Sequence, residues 1–81
     1  MLQPVDTPQD LGLAVYRTRK QQGLTQAELA LAAGVGLRFV VELEAGKRTV
    51  RLEKVLQVLQ ALGAQLQLDG VPLADNLQEQ P

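Results

Sequence analysis

The chain contains no His, no Cys and no Ser. Without them there is no Ser–His or Cys–His nucleophilic pair, no disulfide and no ordinary zinc site. Carboxylates are present, but 81 residues are too few to fold a substrate cleft around a pair of them. Aromatic residues are scarce as well. Tyr16 and Phe39 are the only two, so Leu, Val and Ala must fill the core. No apolar run approaches the roughly 20 residues that span a bilayer. The amino terminus, Met1-Leu2-Gln3-Pro4-Val5-Asp6, has neither the basic segment nor the apolar stretch of a signal peptide. These absences lead to the expectation of a cytoplasmic protein that is not an enzyme, binds no cofactor or metal and makes no membrane contact.

What is there reads as one small globular domain, 46% hydrophobic and 21% charged. A domain of this length buries a modest share of its surface and is marginal alone. With disulfides excluded, oligomerisation is the stabilising device to look for. The overall charge of −1 hides an asymmetry. All eight cations lie between Arg17 and Lys54 with only four carboxylates, so the middle is net +4 and the flanks are net −5. A basic middle with acidic ends is consistent with a polyanionic partner or with solvated helix faces.

Helix punctuation is legible. Thr7-Pro8-Gln9-Asp10 sets a Thr N-cap, Pro at the first helical position and an acid three residues after the cap. Leu11, Ala14, Val15 and Thr18 follow at helical spacing and Gly23 closes the segment, predicting a helix over 8–22. Thr25-Gln26-Ala27-Glu28 is a capping box opening a second helix over 25–33, stopped by Gly34. A third is predicted over 37–45, closed by Gly46. Thr49 is expected to cap a fourth over 50–62, with Leu52, Val55, Leu56, Leu59 and Leu62 as its apolar stripe and Gly63 at its end.

From Ala64 to Asp69 the period changes. Leu66 and Leu68 alternate with Gln65, Gln67 and Asp69, the repeat of a half-buried strand. No other segment reads as a strand. A lone strand leaves its backbone groups unpaired, so its natural partner is the same strand of a second copy. The alternative is extended coil lying over the helices. The expected architecture is therefore all-α, a compact four-helix domain over 1–69 whose C-terminal strand, carrying Leu66 and Leu68, pairs across a homodimer. Residues 70–81 read as a flexible tail.

Residues 25–46 outline a helix-turn-helix, in which the second helix enters the major groove. The residues sharpen that outline. Thr25-Gln26-Ala27-Glu28-Leu29-Ala30, Gly34-Val35, Val40 and Leu43-Glu44-Ala45-Gly46-Lys47 resemble the phage-repressor and Xre-type regulator family over about residues 8–63. Within it the chain is most similar to the HipB-like antitoxins of HipA–HipB toxin–antitoxin modules. That likeness rests on Thr7-Pro-Gln-Asp-Leu-Gly, Arg19-Lys20-Gln21-Gln22-Gly23-Leu24-Thr25-Gln26, Arg38-Phe39-Val40, Gly46-Lys47 before Leu52, and Leu62-Gly63 before a short strand. The resemblance implies a dimeric repressor of its own operon, bound to pseudo-palindromic double-stranded operator DNA, that also holds a HipA-like kinase toxin inactive.

Candidate contacts follow. If Val40 and Leu43 face inward, Leu37, Arg38, Val41 and Glu42 face the groove. Arg38 is the strong donor, suited to the O6 and N7 edge of guanine or to a phosphate. Leu37 and Val41 offer only thymine methyl or shape contacts, and Glu42 either accepts from cytosine or repels phosphate. Gln26, with Thr25 beside it, sits at a helix amino end that favours an anion, and the resemblance implies that this Gln contacts phosphate and braces the recognition helix. Lys47, Arg48 and Arg51 suit phosphates, as alternatives to solubility charges. The resemblance further implies a structural ion pair between Arg19 and Glu44. Leu37 and Val41 stand where relatives are often polar, and Gly36 where Ser or Thr commonly caps. The face is thus poor in hydrogen bonds, which leaves a second reading: a protein-interaction or inhibitor module with a degenerate DNA face.

Overall fold

The computed structural model describes residues 2–70 and Pro72. Four helices follow one another: α1 (Pro8–Gln21), α2 (Gln26–Ala33), α3 (Leu37–Glu44) and α4 (Leu52–Ala61). The connections are too short to let neighbours separate. α3 packs against both α1 and α2, and α4 packs on α2.

The local chemistry sets the first two helix starts. The Asp10 N–H donates to Thr7 Oγ1 at 3.0 Å, and the Asp6 N–H donates to Asp10 Oδ2 at 3.0 Å. The capping box is complete: the Glu28 N–H donates to Thr25 Oγ1 at 3.0 Å while the Thr25 N–H donates to Glu28 Oε1 at 2.8 Å. Each such cap is worth about 0.5–2 kcal/mol. α3 starts without one, since Gly36 has no side chain to offer. Gly23, Gly34, Gly46 and Gly63 lie just past the four helices with φ between +72° and +85°.

The core is one cluster. Val15 comes from α1, Leu29, Ala30 and Ala33 from α2, Val40 and Leu43 from α3, and Val55, Val58 and Leu59 from α4, with Leu62 just beyond it. Leu11, Leu24, Val35, Phe39 and Val50 close its edge. Two side-chain bonds tie the ends together. Gln22 Nε2 donates to the Leu62 carbonyl at 2.7 Å, and Gln57 Nε2 to the Ala33 carbonyl at 3.3 Å.

Gly12 marks the closest crossing. A Cβ there would lie 2.5 Å from the Leu43 carbonyl oxygen and 2.8 Å from that of Glu44. Both are backbone atoms that cannot move aside, so α1 rests directly on the end of α3. Gly46 (φ +85°) faces Gln9 of α1 in the same junction, where a Cβ would meet the Gln9 Cα at 3.1 Å.

Three expectations are corrected. The fourth helix begins at Leu52 with Arg51 as N-cap, not at Val50 behind a Thr49 cap, and no side chain caps it. Val50 is drawn against the core instead, which keeps residues 49–51 out of the helix. Its apolar stripe is also different: Val58 is fully buried while Leu52 and Leu56 are 61% and 44% exposed. Val55, Val58, Leu59 and Leu62 repeat at i, i+3, i+4 and i+7, and that row meets α2. Finally, residues 64–69 form no strand, and no strand occurs among the described residues. A ladder needs a second row of free donors and acceptors, and four helices in one chain present none. Apart from Gly70 and Pro72, the tail assigned to 70–81 lies outside the described residues.

Candidate nucleic-acid interface

A buried ion pair anchors the interface. Arg19 is 7% exposed. Its Nε donates to Glu44 Oε2 at 2.6 Å and its Nη2 to Glu44 Oε1 at 2.9 Å, a bidentate fork. Arg19 Nη1 donates to the Leu24 carbonyl at 2.8 Å, and the guanidinium lies over the Tyr16 ring at 5.4 Å from its centroid. Gln26 Nε2 adds a third donor to the carboxylate, reaching Glu44 Oε1 at 3.1 Å. Glu44 at the end of α3 is therefore held by α1 and by the first residue of α2 together. Its hydrogen bonds raise the Arg19 pKa above the ordinary guanidinium value, against the opposing effect of burial. The cation persists at every pH at which the domain would be studied.

The outer side of α3 is open. Leu37 and Val41 are 50% and 41% exposed, opposite the fully buried Val40 and Leu43. Arg38 projects almost entirely into solvent. Its Nε donates to Glu42 Oε2 at 3.4 Å, and Lys47 Nζ donates to Glu42 Oε1 at 3.3 Å. The Lys47 hydrogen bond is the main cause that holds the Glu42 carboxyl below the usual carboxylate range, with Arg38 adding to it. Glu42 is thus ionised at neutral pH and linked to two cations at once.

The expected phosphate contacts divide into two sets. Thr25 and Gln26 stand at the amino end of α2 and line a shallow notch with Arg19, Lys20, Gly23 and Leu24. The capping box uses the N–H groups of Thr25 and Glu28; those of Gln26 and Ala27 donate to nothing among the described residues. Lys47 is drawn to α3 through Glu42. Arg48 and Arg51 are exposed and form no ion pair among the described residues, and Arg48 lines a shallow hollow together with Lys47. Leu66 and Leu68 are 50% and 75% exposed.

Three further residues matter here: Gly12, to which the sequence assigns no role, and Tyr16 and Lys20, which the sequence places on the outer side of α1 with backbone contact and solvent as alternatives. Gly12 sets how closely α3 sits on α1; a Gly within an otherwise strong helical pattern was its one available signal. Lys20 lines the notch beside Gln26. Tyr16 covers the buried guanidinium from one turn away, a contact that spacing on α1 permits but does not single out.

Comparison with known proteins agrees with this geometry. A family model described as helix-turn-helix matches residues 15–68. The chain is 54% identical over 68 residues to the uncharacterized HTH-type transcriptional regulator y4mF of Sinorhizobium fredii (strain NBRC 101917 / NGR234), spanning 84% of this chain and 90% of that protein. Among solved structures, a HipB–O4 20mer complex superposes with a TM-score of 0.79 at 27% identity, covering 88% of this chain and 100% of that one. A HipA–HipB–O2–O3 complex gives the same TM-score, identity and coverage.

Proposed function

Because the chain belongs to the helix-turn-helix family, we propose that it is a sequence-specific operator-binding repressor acting as a homodimer in the cytoplasm. α3 enters the major groove with Leu37, Arg38, Val41 and Glu42 toward the base edges. Thr25, Gln26, Lys47, Arg48 and Arg51 take phosphates. One observation carries the reading: an outward, cation-bearing α3 is clamped through Glu44 to both Arg19 and Gln26. Such a clamp fixes a recognition helix relative to the phosphate-facing end of α2, which is what reading bases from a fixed register requires. The two idle N–H groups at that end add fixed positive dipoles where a phosphate belongs.

The homodimer accounts for the apolar surface that one chain leaves open. Leu66 and Leu68 are exposed, and pairing of residues 64–69 between two copies would bring them to a shared seam while satisfying the backbone. A two-fold dimer sets its recognition helices about 34 Å apart, matching half-sites one turn apart on a pseudo-palindrome. Its setting is a toxin–antitoxin operon, in which it represses its own promoter and neutralises a HipA-like kinase toxin; the HipA–HipB–O2–O3 relative supports that setting by analogy. Hydroxyl-radical footprinting of the DNA upstream of the reading frame tests the first part. Two protected patches one helical turn apart are expected, and a single patch or none contradicts it. Co-expression with the product of the neighbouring gene tests the second: a stable complex and suppressed kinase toxicity are expected, and unimpaired toxicity contradicts it.

A second reading has its own observation. The exposure of Leu37 and Val41 on α3 suits a protein contact better than a groove rich in polar edges. In that reading the module is an inhibitor whose DNA face has degenerated, and its DNA binding is weak and indifferent to sequence.

A further inference from the structure

We propose that Glu42 is a positioning residue for base recognition, presenting the Arg38 guanidinium edge-on to a guanine and coupling it to Lys47. This rests on the operator-reading function of α3 given above. Glu42 takes the Nε side of Arg38 at 3.4 Å, and neither Nη group of Arg38 has a partner among the described residues. A guanidinium held at Nε keeps its Nη pair for a second acceptor, and the O6 and N7 of guanine are such a pair of acceptors. A free Arg on an exposed helix face loses much rotamer freedom when it docks. Anchoring at i+4 removes part of that loss before DNA arrives.

The other carboxylate oxygen binds Lys47 Nζ at 3.3 Å. Lys47 lies in the turn that follows α3, so one carboxylate ties a base-facing cation to a backbone-facing one. A carboxylate facing DNA would by itself lower affinity for every sequence by repulsion. Here the carboxylate faces two cations at hydrogen-bond distance, Lys47 at 3.3 Å and Arg38 at 3.4 Å, which offset part of that repulsion. The arrangement therefore trades general affinity for discrimination.

The test measures binding of the wild type, Glu42→Ala, Glu42→Gln, Arg38→Ala and the double variant Arg38→Ala/Glu42→Ala. Fluorescence anisotropy is read on duplexes tiling the DNA upstream of the reading frame and on random duplex. The ratio of the two affinities should fall about fivefold in Glu42→Ala, the low end of one bidentate base contact. Binding to random duplex should hold or tighten, because a negative charge has been removed. The loss should fall at the same base pair as that of Arg38→Ala, and the double variant should lose no more than Arg38→Ala alone. Glu42→Gln keeps the shape and one acceptor, so it should lie between wild type and Glu42→Ala. An unchanged ratio in Glu42→Ala, or losses that add in the double variant, overturns the positioning role and leaves the operator reading intact. A wild type without preference for upstream DNA overturns the operator reading itself, and the positioning role with it. Thermal melts of each variant separate these outcomes from misfolding.

Discussion

At the scale of single residues, the buried carboxylate of Glu44 and the exposed guanidinium of Arg38 do opposite kinds of work. Glu44 compensates Arg19 in a setting with almost no access to water. Glu44→Ala leaves a buried cation unpaired, which costs about 3–5 kcal/mol and should be read as lost stability in urea melts. A cost below about 1 kcal/mol would mean the pair is solvated and contributes as surface pairs do. Arg38 has little to stabilise in the fold. Arg38→Ala should leave the melt nearly unchanged and weaken upstream-DNA binding by about 1–3 kcal/mol, with relaxed preference at one base pair per half-site. Lys47→Ala should weaken upstream and random duplex alike, and a loss confined to upstream DNA would contradict its phosphate role. The identity of the cations was legible in the sequence, as was the i,i+4 spacing of Arg38 and Glu42; the buried partner of Arg19 was not. Arg19 and Glu44 stand 25 residues apart, a separation no helical spacing can relate, and in the sequence only the family resemblance pairs them. Glu42's double engagement was equally hidden, because Lys47 belongs to the turn after the helix and not to it.

At the scale of elements, local chemistry wrote the starts of α1 and α2 into the chain. Thr7 and Thr25 have a polar oxygen in the right place, and both make the expected bonds. Where the local code is silent, tertiary packing decides. Gly36 and Arg51 give no cap, and α4 starts where Val50 finishes docking on the core. The stripe of α4 was misplaced for a related reason. Leu52, Val55, Leu56, Leu59 and Leu62 are periodic, but so are Val55, Val58, Leu59 and Leu62, and only the neighbour α2 selects between them. Gly12 gives the sharpest test at this scale. Intrinsic propensity alone predicts that Gly12→Ala stabilises α1 by about 1 kcal/mol. The crossing predicts the reverse, since the new methyl would lie 2.5 Å from the Leu43 carbonyl oxygen. A net loss of about 1–3 kcal/mol is expected, seen as a fall in melting temperature of roughly 4–8 °C per kcal/mol for a domain of this size. A rise would show that α1 and α3 are not in that close contact.

At the scale of the whole molecule, a four-helix domain with a small core leaves Leu37, Val41, Leu52, Leu56, Leu66 and Leu68 exposed, with Arg38 projecting from α3 among them. Net charge of −1 said nothing of this; the confinement of every Lys and Arg to residues 17–54 did. The alternation at Leu66 and Leu68 reads as a strand pattern, yet residues 64–69 form no strand in the single chain, and the proposed dimer would supply the missing partner row. Leu66→Asp should therefore turn a dimer into a monomer, as measured by light scattering. A dimer that survives the substitution contradicts pairing through residues 64–69. The function proposed for this domain is that α3 reads DNA. Its most direct test is a fluorescence-anisotropy titration on the duplex immediately upstream of the reading frame, beside random duplex, at two salt concentrations. Tight binding to upstream DNA, weaker binding to random DNA and a steep loss of both with salt are predicted, since each phosphate contact releases a counterion. Weak, equal binding to the two duplexes would contradict the claim and make the Leu37–Val41 face a protein contact.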